Sequence, residues 1–419
     1  MTKFLKDKTK VSIQGIIANS RKKRNAVFAE LGIDEECFKD EVTEIRKKTF
    51  VDFESNLNEA RKNFKKRGFI LHEAKKSSDI GVILKDVLNG SKTIARAKTN
   101  TGREIGLDKL LEDFESFETD LGDFIVELFS EEDQHYVLPA IHIDAEKISQ
   151  KIKETFKDDI EADPTKLTHY LCEKIREKIL TADTGITGAN FITKNGQVVL
   201  LENEGNISLV SRLPRKHIVF VGIDKLVETV EDATKLCRAA AMFGTGQDIT
   251  QYISIISGPS KTADIENELV VGAQGAKEVH IILIDNMRKE MLEKGFGDIL
   301  RCINCGSCLN FCPVYHQEGN KFGGGKYIGA KGIILSAFRE SLDTSNEKGC
   351  FDCMLCGGCY ENCPMKIELP SMIRKVRQMQ EEKGNQTKEN KQMLENVNKK
   401  GNPFGEVSDK ETPDKLYCC

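Results

Sequence analysis

Nine of the chain's 14 cysteines fall between residues 302 and 363, and eight of these form two runs of the same spacing. The first, in RCINCGSCLNFCPVY from Arg301, places Cys302, Cys305, Cys308 and Cys312 before Pro313. The second, CFDCMLCGGCYENCPM, places Cys353, Cys356, Cys359 and Cys363 before Pro364. Both read C-x2-C-x2-C-x3-C-P. Two-residue spacers turn the chain tightly enough for three thiolates to wrap one face of an iron–sulfur cubane. After three more residues the fourth cysteine has entered a helix and points away, so it ligates the other cluster of a two-cluster module. The spacing therefore predicts two [4Fe–4S] clusters. One takes Cys302, Cys305, Cys308 and Cys363; the other takes Cys353, Cys356, Cys359 and Cys312. Gly306, Gly357 and Gly358 permit the positive φ angles that aim amide N–H groups at inorganic sulfides.

Zinc is the competing metal. Structural zinc takes four ligands, usually as two paired knuckles, and has no use for four cysteines in one short run twice over. A disulfide framework belongs to small secreted domains and does not suit a long chain without an export signal. Cys350 precedes the second run at the same two-residue spacing, but the x3-C-P ending fixes the register on Cys353. Cys350 is expected to be a free thiol beside the cluster. Cys37, Cys172 and Cys237 are scattered singly, and the Cys418–Cys419 pair is expected to be an unstructured end.

The elements around this module must come from 419 residues, enough for two or three domains. A formal net charge of −4, from 62 basic and 66 acidic residues, gives no global basic field and no expected nucleic-acid partner. The longest apolar runs, VVLL (198–201) and IILI (281–284), are strand-sized, far below the roughly 20 residues of a membrane span. The N-terminal MTKFLKDKTK lacks the apolar stretch of a signal peptide. A cytoplasmic chain without a transmembrane segment is the expectation.

Residues 1–68 are dense in charge, with apolar residues such as Phe50, Phe53, Leu57 and Ala60 at helical spacing, and read as a helical N-terminal extension. The basic SRKKRN (20–25) reads as a solvated face. Over 69–290, short β-rich runs alternate with helical stretches: FILHEA (69–74), TIARAK (93–98), YVLPAIH (136–142), VVLLEN (198–203), IVFVGI (218–223), YISIIS (252–257) and HIILID (280–285). Near-continuous apolar character suits strands covered on both faces, so this is an α/β domain with a mixed or largely parallel sheet. The cysteine-rich domain follows over 291–380, and the polar 381–419 reads as a disordered tail.

No Gly-rich dinucleotide fingerprint, phosphate loop or HExxH pair marks the α/β domain. Three polar stretches at strand ends have the composition of ligand-holding loops, or equally of ordinary turns: DTGITGAN (183–190) leading into LLENEGN, GPSKTADIENELVVGAQG (258–275), and AKTNTGREIGL (97–107). The candidate rim is Asp183, Thr184, Asn190, Glu202, Asn203, Glu204, Gly205 and Asn206, with Thr262, Asp264 and Lys98 from neighbouring loops. Lys98 or Arg96 could pair with a substrate carboxylate. His142, His217 and His280 read as structural.

DTGITGANF followed by VVLLENEGN and LPRKHIVFVGIDKLV resembles the LUD domain of the lactate-utilisation iron–sulfur proteins. SKTIARAKTNTGREIGL and HYVLPAIH upstream, and GPSKTADIE with HIILIDNMR downstream, follow the same order. The resemblance implies an α/β LUD domain similar to phosphosugar isomerase and CoA-transferase folds. Beyond it the cysteine runs, with the helix KGIILSAFRE (331–340) between them, look like the α-helical two-cluster ferredoxin type. The resemblance further implies an electron-transfer role in oxidising L-lactate to pyruvate. The implied partners are the other subunits of a lactate-oxidation complex, both cysteine-rich and LUD-type, and an electron donor or acceptor protein. Such a chain is a component of an oxidoreductase rather than a complete enzyme. Two other readings stand: a heterodisulfide-reductase-like carrier for another redox couple, and a self-sufficient 2-hydroxy-acid oxidoreductase.

Overall fold

The computed structural model describes residue 5 and residues 7–131, 139–324, 326–385 and 388–406. Three helices open the chain: Asp7–Leu31 (α1), Glu35–Val51 (α2) and Phe53–Arg67 (α3). The side chain of Asp34 caps α2 by accepting the Cys37 amide at 2.8 Å. Gly68, at φ 91°, ends α3 in the left-handed conformation that glycine adopts without cost.

The strands are Ile70–Ala74 (β1), Thr93–Arg96 (β2), Glu115–Glu118 (β3), Thr184–Gly188 (β4), Phe191–Thr193 (β5) and Val198–Glu202 (β6). They continue as Lys216–Gly222 (β7), Leu226–Val227 (β8), Tyr252–Ile256 (β9), Lys261–Thr262 (β10), Val270–Val271 (β11) and Glu278–Ile284 (β12). Six form one sheet in the order β1-β12-β7-β4-β2-β3, with every pairing parallel. Helices lie on both faces, and the apolar runs alternate between them. Val219, Val221, Ile281 and Leu283 pack with Leu57 and Phe64 of α3. Ile218, Phe220, Ile282 and Ile284 pack with Ile80 and Leu84 of the helix Ile80–Val87 on the other face. A second sheet, β8-β5-β6-β9, lies beyond β4.

The fold corrects several of the sequence expectations. DTGITGAN is a strand, not a ligand loop: β4 sits in the middle of the parallel sheet between β7 and β2. Its glycines admit close neighbours, since a Cβ on Gly185 would come within 2.0 Å of the Val210 carbonyl oxygen. In YVLPAIH, residues 136–138 lie outside the described residues and 139–142 form turns. In SRKKRN, Lys22, Lys23 and Asn25 are exposed as a solvated face would be, but Arg24 is buried. The tail expected to be disordered contains the helix Lys388–Lys400, which buries no side chain. Cys418 and Cys419 lie outside the described residues.

Residues 285–406 contain helices and no strand among the described residues, including Gly329–Arg339 and Leu369–Glu382. Their core is continuous with the rest of the chain. One apolar cluster joins Phe28 and Val42 of the N-terminal helices, Phe191 and Val199 of the second sheet, and Phe322, Ile333 and Ile373 of the C-terminal part. No helix among the described residues is long and apolar enough to cross a membrane.

Candidate iron–sulfur centre and the adjoining cleft

Each cysteine run begins as a loop and ends in a short helix, Ser307–Asn310 or Gly358–Glu361. The two loops share one backbone pattern. Asn304 (φ 59°) and Gly306 (φ 80°) in the first correspond to Leu355 (φ 54°) and Gly357 (φ 85°) in the second. Left-handed residues in alternation turn successive N–H groups inward, and the Asn304 amide donates to Cys302 Sγ at 3.4 Å. Gly358, one of the three glycines singled out in the sequence, does not take positive φ.

Two apolar cavities result. One is lined by Cys302, Cys305, Cys308 and Cys363, the other by Cys353, Cys356, Cys359 and Cys312, with Cys308 bordering both. Cys350 is buried outside both rings. Burial, then the nearness of Cys302, Cys305 and Cys363, pushes the Cys308 thiol well up. Burial and neighbouring thiols likewise raise Cys359 to about 12. Thiols raised in this way give up their protons to a positively charged group that replaces them. Among the described residues no group of three or more His, Cys, Asp or Glu closes on a single ion. Zinc needs its sulfurs around one point at about 2.3 Å. The four thiols lining each cavity match the ligand set of a cubane.

The N-terminal helices clamp this module. Arg24 Nη1 donates to Ser307 Oγ and Asn362 Oδ1, both at 3.2 Å, and so ties the two runs together. Lys39 donates to the Glu361 carbonyl at 3.0 Å, and Thr43 to the Pro364 carbonyl at 3.0 Å. Arg46, fully buried, donates to the Leu226, Leu300 and Arg301 carbonyls, where the α/β domain meets the first run. On the α/β side, Gly244 lies against the first loop, and a Cβ there would come within 2.5 Å of the Cys305 carbonyl oxygen. Gly244→Ala should therefore displace that loop, destabilise the chain by about 1–3 kcal/mol and lower the iron retained on purification. Unchanged melting temperature and iron content would contradict this packing role.

A cavity of about 280 Å³ separates the first cysteine loop from the carboxyl ends of β2, β7 and β12. Its wall on the sheet side carries Lys98, Arg103 and Glu104 after β2, Asp224 and Lys225 after β7, and Arg288 after β12. Its other wall carries Cys302, Cys308, Tyr327, Lys331 and Arg339. Glu104 accepts from Arg288 at 2.8 and 2.9 Å, from Arg339 at 2.8 Å and from Asn286 at 2.7 Å. Asp224 also pairs with Arg288. Lys225 Nζ donates to the Cys302 carbonyl at 2.9 Å, and Lys331 donates to Asn304 Oδ1. Burial alone would raise the Cys302 thiol, but the Lys331 and Lys225 charges outweigh it and bring the thiol below its ordinary value.

A wider cleft of about 1010 Å³ adjoins this cavity and shares Lys98, Arg103 and Lys326 with it. It also contains Glu118, the last residue of β3. Burial and the Asp123 charge push the Glu118 carboxyl up to about 8 against the pull of Arg96.

Of the candidate rim, Lys98 lies at the cavity, paired with Asp123 at 2.5 Å. Glu204 and Asn206 reach the neighbouring β3–helix turn, where Glu204 accepts the Leu121 amide at 3.3 Å and Asn206 donates to Thr119 Oγ1 at 3.3 Å. The rest are elsewhere, so the single rim is not formed. Asp183 and Thr184 lie at the opposite, amino end of β4, where Asp183 accepts the Lys92 and Thr93 amides and Thr184 meets Ser91 Oγ at 2.8 Å. Asn190 accepts the Leu201 amide at 2.9 Å, and Asn203 accepts the Gln251 amide at 3.2 Å. Glu202 accepts the Ser208 amide at 2.9 Å, and Gly205, at φ 85°, precedes the helix Asn206–Arg212. Thr262 and Asp264 bond to each other at 2.7 Å on the exposed β10–β11 hairpin. His217 is structural: it is fully buried, meets Thr187 Oγ1 at 2.8 Å, and is pushed down to about 3 by burial.

A parallel α/β domain packed on a helical module with two rings of four thiols defines a two-part class of protein. The model of the LUD domain family matches residues 57–284, and that of the 4Fe-4S dicluster domain matches residues 298–367. The chain belongs to the LUD-domain family and carries a 4Fe-4S dicluster domain after it. Relatives include "Lactate utilization protein B" of Macrococcus caseolyticus, 33% identical over 86% of this chain and 74% of that one. "Lactate utilization protein B 2" of Bacillus mycoides is 31% identical over 80% of this chain and 70% of its own length. A solved structure, of a DUF162 family protein from Deinococcus radiodurans, aligns over 55% of this chain and 96% of its own. Its identity is 14% and its TM-score 0.29, too low to bear on the fold.

Proposed function

We propose that the chain is the iron–sulfur, electron-carrying subunit of a lactate-oxidising system. The observation that carries this reading is the pair of four-thiol rings, each completed by the last cysteine of the other run. In it, Cys302, Cys305, Cys308 and Cys363 hold one [4Fe–4S] cluster, and Cys353, Cys356, Cys359 and Cys312 hold the other. Bound in these rings, such clusters supply one-electron transfer. Oxidation of a 2-hydroxy acid to the 2-oxo acid releases two electrons, so a relay of two sites divides it into single steps. The name shared by the relatives supports lactate as the source and a multi-subunit system as the setting. The partners are further cysteine-rich and LUD-type subunits and an electron donor or acceptor protein, with the chain itself in the cytoplasm.

The chain itself makes the two sites unequal. The first ring is covered by α1 and α2 and faces Lys225 and Lys331, while the second exposes Cys356 and Met354 to solvent. A positive charge beside a site favours the added electron. Removing one at about 8 Å, with an effective dielectric near 20, costs about 2 kcal/mol. For one electron that is on the order of 90 mV. Lys331→Met should lower the midpoint potential of the first site by that order in an EPR-monitored redox titration and leave the second where it is. Equal potentials in both proteins would remove the electrostatic part of this reading. The functional part is tested by adding L-lactate to the anaerobic chain with and without cell extract. Reduction only with extract fits a relay subunit; reduction of the pure chain fits a self-sufficient enzyme.

A further inference from the structure

We propose that the 280 Å³ cavity between the sheet and the first cysteine loop is a binding site for a short-chain 2-hydroxy acid. The choice of ligand rests on the lactate reading above; the existence of an anion site rests on the cavity itself. Its position is the first argument. Three loops that follow parallel strands converge on it, and the crevice outside the carboxyl ends of strands is where open α/β sheets bind ligands.

Charge is the second argument. Among the described residues, seven cationic side chains line the cavity against two carboxylates. The ion pairs share their acids: Lys98 and Arg103 both bind Asp123, and Arg288 and Arg339 both bind Glu104. Lys225 also pairs with Asp224 at 3.0 Å, and internal pairing still leaves an excess of positive charge in a half-open space. Lys225 and Lys331 are turned to the cysteine loop, where they face Cys302. Lys98, Arg103 and Lys326 line both this cavity and the wider cleft, and answer to no thiol. Like charges crowded together repel, and a bound carboxylate offsets that repulsion through charge-assisted hydrogen bonds.

Shape and polarity narrow the class. Between the cations the lining also includes Ile299, Leu300, Leu309, Ile328 and Leu335, apolar surface suited to a short carbon chain. Cys302 and Cys308 line the same cavity, so a ligand with its carboxylate at Lys98 and Lys326 would have its carbon end toward the first thiol ring.

Equilibrium dialysis of radiolabelled L-lactate against the anaerobically purified, cluster-containing chain tests this. One saturable site per chain is expected. Lys326 is exposed and serves no part of the core, so Lys326→Met should weaken binding by about tenfold at unchanged iron content. Lys98→Met should do the same. Absence of saturable binding in a chain with its full iron overturns the site and leaves the relay reading standing. Displacement of lactate by acetate or inorganic phosphate at equal concentration also overturns it, as a non-selective anion pocket. Saturable binding by a chain that lacks iron would support the site and overturn the relay alone.

Discussion

Cys312→Ala should cost the chain the cluster of the other cysteine run. Cys312 belongs by sequence to the first run but lines the second ring with Cys353, Cys356 and Cys359. Losing it leaves three thiolates for that cluster, so iron should fall from about eight to about four atoms per chain. The remaining signal should be that of the Cys302–Cys305–Cys308 site. Cys363→Ala should give the mirror result, removing the first cluster from within the second run. Iron analysis and low-temperature EPR of the reduced proteins read this directly. If each substitution instead abolished the cluster of its own run, ligation would be local and the crossed arrangement would be wrong. Cys350→Ala, by contrast, should leave iron content unchanged, since that thiol lies outside both rings.

The second large effect concerns the seam between the α/β domain and the cysteine module. Glu104 is buried and accepts from both Arg288 and Arg339, the first from the sheet and the second from the helix Gly329–Arg339. Glu104→Gln leaves two buried guanidinium groups with less negative charge than they were built around. Breaking a buried charge network in this way costs about 3–5 kcal/mol. Chemical denaturation should show that loss, and the cluster signal should vanish at lower denaturant than in the parent. The pH dependence provides an independent check. Burial would raise the Glu104 carboxyl, but Arg288 and Arg339 outweigh it and hold its folded-state value below 4.5. Its contribution is therefore present above the unfolded value and lost as pH falls through the folded one. The parent should lose stability on acidification below about pH 4.5, and Glu104→Gln should lack that part of the slope. Equal acid profiles would mean that the triad contributes nothing net.

What the sequence revealed and what it hid have physical reasons. The cysteine runs were legible because ligand spacing is a local property, and the loops that carry it repeat the same left-handed pattern at Asn304–Gly306 and Leu355–Gly357. Strands β7 and β12 were legible because burial on both faces leaves unbroken apolar runs. Strand β4 was missed because TGITG is small and polar; it is central because its neighbours approach too closely for larger side chains. The polar stretches were misjudged for a related reason. Glycine, asparagine and acidic residues at strand ends also serve amide capping, as at Asp183, Asn190 and Glu202.

The charged residues that matter most gave a faint signal. Lys39 and Arg46 fall on the same buried face of α2 as Phe38 and Val42, where an amphipathic helix would ordinarily carry no cation. That misplacement could have been noticed. Glu104, Asp224, Arg288 and Arg339 come from four separate segments, and their meeting is a property of the fold alone. The N-terminal helices, read from sequence as a bland extension, hold the cysteine module through Arg24, Lys39, Thr43 and Arg46.

The most direct test of the central claim is a count of iron and acid-labile sulfide in the anaerobically purified chain, with EPR of the dithionite-reduced protein. About eight iron and eight sulfide per chain, with signals from two interacting reduced cubanes, is the predicted result. Four irons or fewer in an intact preparation, or stoichiometric zinc in place of iron, would contradict it.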